Sequence, residues 1–278
     1  MKEFALLGYP LGHTLSPFIH SRLFGLSGTA ASYFAREVAP HELDARFDSF
    51  MQLSGFNVTI PYKQQVAARI ERLDESASRY MSVNVVDCAA RTGYNTDVYG
   101  FLRSVEILKA DLGGSVLLLG SGGLARMVAV EAALKGADLT IAVRPQDALQ
   151  AGELAEFARS KAGGARIKVA SLSDIGGTYE LLVNATPVGM HPVTQQCPVS
   201  YETVASCGAV FDAVYNPAET LLLKYAARAG VRALGGMDML VYQAAEAHRI
   251  WYGAKFPQGG LERIIRDCRA ELEGGKKT

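Results

Sequence analysis

Apolar positions along the chain fall into short continuous or alternating runs that take turns with helical stripes. Phe4–Gly8 is a compact apolar run that predicts a buried strand. Ser16-Pro17 then predicts a helix start, with Ser as cap, Pro at the first helical position and Phe18, Ile19, Leu23 and Phe24 on one face. Gly28 ends that helix. Alternation over Ser32–Val38 predicts a strand, His41–Leu53 a helix, and Phe56–Ile60 a strand stopped by Pro61. Short strands are expected over 82–87 and 88–94, followed by a helix over Asp97–Leu108.

A second pattern begins at Ser115. Val116-Leu117-Leu118-Leu119 is apolar on both faces, as a central parallel strand must be when helices cover both sides of its sheet. A glycine-rich turn, a helix over Leu124–Lys135 and a strand over Asp138–Val143 complete a βαβ unit. Strands are expected over 167–170, 180–184, 209–213 and 231–234, with helices over 147–161, 217–229, 239–252 and 261–272. The alternation predicts an α/β fold, and 278 residues suit about two domains.

Composition narrows the function. The 28 basic and 28 acidic side chains cancel, so no net field favours nucleic acid or an anionic membrane surface, and a small-molecule partner is expected. The apolar run near the start is broken at Gly8 and Pro10, unlike a signal peptide, and no stretch is long enough to span a bilayer, so a cytoplasmic location is expected. Cys88, Cys197, Cys207 and Cys268 are widely spaced, which predicts reduced, mostly buried thiols and neither a disulfide framework nor a metal site.

Candidate chemistry starts at the glycine-rich turn. Gly120-Ser121-Gly122-Gly123-Leu124-Ala125, between a buried strand and a helix, is a Gly-x-Gly-x-x-Ala dinucleotide pattern: small residues permit the tight turn, close approach of a pyrophosphate and close helix packing. The next strand ends in Arg144 rather than a carboxylate. A guanidinium suits a 2′-phosphate and favours NADP; a solvent-facing arginine is the alternative. Lys63, after the apolar strand and Pro61-Tyr62, is a candidate acid/base, although on its own the reading as an exposed, solvated lysine in a first helical turn is the stronger one. Asp97 alone reads as a helix cap.

Taken together, several segments resemble the shikimate dehydrogenase family in order and spacing. They are Gly12-His13-Thr14-Leu15-Ser16-Pro17, Asn57-Val58-Thr59-Ile60-Pro61-Tyr62-Lys63, Val83-Asn84, Asn95-Thr96-Asp97, Gly120–Gly123, Asn184–Met190, Asp212–Pro217 and Met239–Ala244. The resemblance implies an α/β substrate-binding domain over 1–96 plus 237–278, a Rossmann NAD(P)-binding domain over 97–236, and a cleft between them. It implies that Lys63 and Asp97 are the acid/base pair, and that Thr14, Ser16, Thr59, Asn84, Tyr215 and Gln243 bind substrate. It places Gly120, Ser121, Gly122, Gly123 and Ala125 at the pyrophosphate, Arg144 near the adenosine, and Thr186, Val214, Gly236 and Met239 along the path to the nicotinamide. The implied reaction is reversible reduction of 3-dehydroshikimate to shikimate with NADPH in aromatic amino-acid biosynthesis, by a monomer or homodimer.

Three departures keep alternatives open. Thr14 stands where the family usually has serine, Val85 replaces a usual threonine, and Ala148 occupies the place of a second arginine, leaving Arg144 as one cation for a 2′-phosphate, so NAD use is possible. The alternatives are a quinate/shikimate dehydrogenase or paralogue acting on another cyclic hydroxy acid, and a non-catalytic sensor of dinucleotide or shikimate. Retention of both Lys63 and Asp97 speaks against the sensor. His248, in an apolar helical face, reads as a core or interface histidine.

Overall fold

Apolar runs bounded by glycine or proline become strands in the folded chain, and the striped segments become the helices that cover them. The structure is a computed structural model that describes residues 2–12 and 14–274; His13 of the first motif lies outside the described residues. Its first elements are β1 Lys2–Gly8, α1 Ser16–Ser27, β2 Ala31–Glu37, α2 Leu43–Met51, β3 Gly55–Val58, α3 Lys63–Ala67, β4 Arg72–Leu73, α4 Glu75–Tyr80, β5 Val85–Asp87, β6 Thr92–Tyr94 and α5 Asp97–Leu108. There follow β7 Ser115–Leu119, α6 Gly123–Leu134, β8 Asp138–Val143, α7 Ala148–Lys161, β9 Arg166–Ser171, β10 Leu181–Asn184, α8 Tyr201–Ala205, β11 Ala209–Asp212, α9 Leu221–Ala229, β12 Arg232–Gly235, α10 Gly236–Tyr252 and α11 Gln258–Gly274.

Two compact units result: unit 1 is Met1–Gly100 with Leu240–Thr278, and unit 2 is Phe101–Met239. The divisions fall inside α5 and α10, a few residues after the first residue of each helix.

Unit 1 contains a six-stranded mixed sheet in the order β2-β1-β3-β5-β6-β4. β1 pairs in parallel with β2 and β3, whereas β5 runs antiparallel to both β3 and β6. One face buries Leu7, Phe50, Phe56, Val58 and Tyr62. Elsewhere in the unit Phe4, Phe24 and Trp251 stack around His20 and His248. Both histidines are buried, with His20 Nδ1 2.8 Å from His248 Nε2 and Tyr252 Oη bonded to His248 Nδ1. His248 is therefore a core residue of this unit. Burial holds its pKa down at about 3, and burial, with His248 as a second cause, holds His20 well below the usual histidine value.

Unit 2 contains a wholly parallel sheet in the order β12-β11-β10-β7-β8-β9. Counted within the unit this is the doubly wound order 3-2-1-4-5-6, whose direction switches between β7 and β10; ligands of such sheets bind beyond the strand ends at that point. Val116 to Leu119 are fully buried, worth about 1.5–3 kcal/mol per large side chain. Among the described residues no helix is long and apolar enough to cross a membrane. The four cysteines are free, and Cys88, Cys207 and Cys268 are buried.

Candidate active site

Unit 1 gathers its polar candidates at the ends of β3 and β6. Tyr62 is fully buried and its hydroxyl donates to Val38 O at 2.5 Å, which anchors the entry to α3 and sets Lys63 as that helix's first residue. Lys63 Nζ donates to Asp97 Oδ2 at 2.5 Å, and the two side chains are 29% and 19% exposed, enclosed but open to solvent. Asp97 begins α5, yet its carboxylate is engaged by Lys63 and Asn84.

Asn84 supports this pair from behind. It is buried; its Oδ1 accepts from Thr96 N at 2.7 Å, so its amide nitrogen faces Asp97 Oδ1 at 2.9 Å, Thr96 Oγ1 at 3.0 Å and Gln243 Oε1 at 3.3 Å. Gln243, from α10, is held by its own Nε2 donating to Leu240 O at 2.9 Å. Asn57 Nδ2 donates to Asn84 O at 3.2 Å, and Asn95 Oδ1 accepts from Asp97 N at 3.1 Å. The carboxylate is thus held between the Asn84 amide at Oδ1 and the Lys63 ammonium at Oδ2.

The remaining unit 1 candidates stand on the first motif and on β3. Ser16 is the first residue of α1 and Leu15 its N-cap, with no side-chain cap, so the capping expected of Ser16 is not made. Thr14 takes part in a local turn instead: its Oγ1 accepts from Ser16 N and donates to Ser16 Oγ, both at 3.2 Å. Half-buried Thr59 follows β3 and is fixed by its N–H donating to Leu7 O at 2.9 Å. Tyr215 belongs to unit 2, where burial pushes its phenol pKa up.

Unit 2 carries the dinucleotide candidates on the carboxyl ends of its central strands. Gly120 has φ +101°, and a Cβ there would lie 2.9 Å from Thr186 Cγ2, so both conformation and space demand glycine. A Cβ on Gly122 or Gly123 would meet nothing within 4 Å. Gly122 is the N-cap of α6 without a side-chain cap, which leaves that helix's first amides available for phosphate oxygens, while Ala125 packs fully buried beneath. These features fit a dinucleotide pyrophosphate. Ser121 Oγ donates to Gln150 Oε1 at 3.0 Å. Arg144, exposed after β8, donates from Nε to Asp147 Oδ2 at 2.8 Å. That bond and the Asp147 charge raise its pKa. Buried Gly236 and Met239 open α10, and Gly236 N donates to Val214 O at 3.1 Å. Among the described residues no group of three or more His, Cys, Asp or Glu side chains is placed to hold a metal ion.

Residues 6–86 match the family model of the shikimate dehydrogenase substrate-binding domain. A shikimate dehydrogenase (NADP(+)) from Caldanaerobacter subterraneus is 36% identical over 272 residues, 95% of this chain and 96% of that protein. The chain belongs to the shikimate dehydrogenase family. Among solved structures, the Thermus thermophilus shikimate 5-dehydrogenase in complex with NADP(H) and shikimate superposes with TM-score 0.84 at 31% identity, covering 96% of this chain and 99% of that one. A 5-ketofructose reductase from Gluconobacter, in ligand-free form, has TM-score 0.83 at 27% identity over 96% of this chain and 98% of its own. The shikimate dehydrogenase fold thus recurs in a reductase named for another keto substrate.

Several residues that shape the site carried no role in the sequence reading. Thr96, Asn57 and Asn95 stand in recognised segments, but only the structure reveals their bonds to Asn84 and Asp97. Asp147 is a plain helix-start aspartate in sequence, and its pairing with Arg144 leaves no marker beyond the three-residue spacing.

Proposed function

We propose that this chain is an NADP-dependent dehydrogenase that reversibly reduces 3-dehydroshikimate to shikimate in chorismate and aromatic amino-acid biosynthesis. The observation that carries the proposal is the Lys63–Asp97 contact, backed by Asn84 and Gln243 in unit 1, in a chain whose unit 2 has a glycine turn and free helix N-terminus suited to a dinucleotide. Unit 1 serves as the substrate-binding domain, with boundaries near 96 and 237, and unit 2 as the Rossmann domain.

NADPH, when bound, supplies the hydride. The Lys63 ammonium donates a hydrogen bond to the substrate carbonyl oxygen and gives it a proton as negative charge develops there. Asp97 orients that ammonium and accepts from the neighbouring substrate hydroxyl; Lys63 regains its proton from water, to which it is partly open. Asn84, Thr59 and Gln243 bind ring hydroxyls, and Thr14 and Ser16, with Tyr215, receive the carboxylate. In the oxidative direction Lys63 is the base. Gly120 to Gly123 and Ala125 hold the pyrophosphate with Ser121, Arg144 faces the adenosine phosphate, and Thr186, Val214, Gly236 and Met239 line the nicotinamide path. The enzyme works in the cytoplasm on a small molecule, as a monomer or homodimer, without nucleic acid or membrane.

A second reading, use of NAD or of quinate, is favoured by one observation: Arg144 is already paired with Asp147, so a 2′-phosphate must compete for the guanidinium. Steady-state rates with shikimate and quinate, each with NADP and NAD, decide between them. Shikimate with NADP is expected to give the highest kcat/KM; a higher value for any other combination replaces the first reading, and nucleotide binding without turnover in all four identifies a sensor.

A further inference from the structure

We propose that Asp212 is a positioning residue for the nicotinamide half of the dinucleotide, acting through two loops that it ties together at the carboxyl edge of the unit 2 sheet. The inference rests on the reading that unit 2 binds NADP and that Thr186, Val214 and Gly236 line that half.

Asn184 and Asp212 end the adjacent parallel strands β10 and β11 in direct register. Both are fully buried. Asn184 Oδ1 accepts from Thr186 N at 3.0 Å and from Thr186 Oγ1 at 2.7 Å, and its amide nitrogen donates to Asp212 Oδ1 at 2.9 Å. The same carboxylate oxygen accepts from Val214 N at 3.1 Å, while Oδ2 accepts from Thr220 Oγ1 at 2.6 Å. Val214 O in turn accepts from Gly236 N, and a Cβ on Gly236 would lie 2.1 Å from Ala213 O, so this approach exists only with glycine. At the other end, Thr186 Cγ2 lies against Gly120. One carboxylate therefore joins the segments bearing Thr186, Val214 and Gly236, and its chain of contacts reaches the first glycine of the phosphate turn.

The chemistry of the donors explains why an acid stands here. Asn184, Val214 and Thr220 all present N–H or O–H groups to Asp212, and an amide would offer a single acceptor oxygen to three donors. Burial raises the Asp212 pKa, and bonds from Thr220, Val214 and Asn184 oppose that rise. Such a buried acceptor is costly unless fully hydrogen-bonded, and when it is so bonded it makes the surrounding network rigid. Thr220 is the N-cap of α9, where its Oγ1 also accepts from Leu223 N at 3.3 Å, so it tethers the carboxylate to a helix.

The test uses full-length Thr220→Val, Thr220→Ser and the isosteric Asp212→Asn. Thr220→Val is expected to lower kcat for shikimate oxidation about tenfold, with a larger isotope effect from shikimate deuterated at the carbon that is oxidised, as hydride transfer becomes slower. Thr220→Ser restores both values. Binding of 2′,5′-ADP, which lacks the nicotinamide half, and the KM for shikimate stay within about twofold. Asp212→Asn is expected to repeat the kinetic effect; if it does not fold, the threonine pair decides. Unchanged kcat and isotope effect in folded Thr220→Val, or equal losses in nicotinamide-dependent and 2′,5′-ADP binding, overturn the proposal. A wild-type chain that neither binds NADP nor oxidises shikimate would instead overturn the underlying reading.

Discussion

The two units contain the same small device in opposite settings. In unit 1 an asparagine amide holds Asp97 while its oxygen takes the N–H of Thr96; in unit 2 an asparagine amide holds Asp212 while its oxygen takes the N–H of Thr186. The Asp97 carboxylate keeps one side for Lys63 and for solvent, whereas Asp212 is sealed and satisfied by Asn184, Val214 and Thr220. Proton exchange with a substrate needs an accessible, charged partner, and loop placement needs a saturated, inaccessible one. Access, not residue type, separates a reacting carboxylate from one that holds a scaffold.

The same substitution at the two carboxylates sharpens that contrast. Asp97→Asn is expected to lower shikimate turnover by about 10²- to 10⁴-fold, the range usual for acid/base assistance, with little change in thermal stability. At Asp212 the change costs about 1–3 kcal/mol through a reversed buried hydrogen bond, with only about a tenfold rate effect. Thermal unfolding and steady-state kinetics on both variants check this, and a rate loss at Asp212 exceeding that at Asp97 would break the comparison.

A smaller effect concerns the core of unit 1. His20 and His248 have depressed pKa values when folded, so the unfolded chain binds protons below about pH 6.5 that the folded chain refuses. The contribution of His248 is whole above about pH 6.5 and is lost as pH falls towards 3, and that of His20 declines in the same direction. Each imidazole then contributes a slope of up to about 1.4 kcal/mol per pH unit. Urea unfolding between pH 7 and pH 5 should show a shallower decline in His248→Leu than in the wild type; equal slopes would remove the histidine pair as the cause.

Some strongly patterned elements were legible from sequence to the residue, while others, such as α10 beginning at Gly236 rather than Met239, were legible only to within a turn. α5 over Asp97–Leu108 and β8 over Asp138–Val143 match the periodicity, because buried neighbours select an apolar set with one repeat. α3, α4 and α8 were not predicted, since five or six residues make less than two turns and show no face. Helix α1 starts at Ser16 rather than after it, a one-residue shift produced by Leu15 taking the cap. Within the candidate site, single residues such as Lys63 and Asp97 could be singled out only through a resemblance of whole segments. Their contact, and that of His20 with His248 across 228 positions, arises from tertiary packing that local pattern does not record.

The most direct measurement is shikimate oxidation with NADP by Lys63→Ala beside the wild type, with NADP affinity determined on the same preparations. Turnover about 10²- to 10⁴-fold lower with affinity within about twofold is the expected result. Turnover equal to the wild type would contradict a proton-transferring role for Lys63.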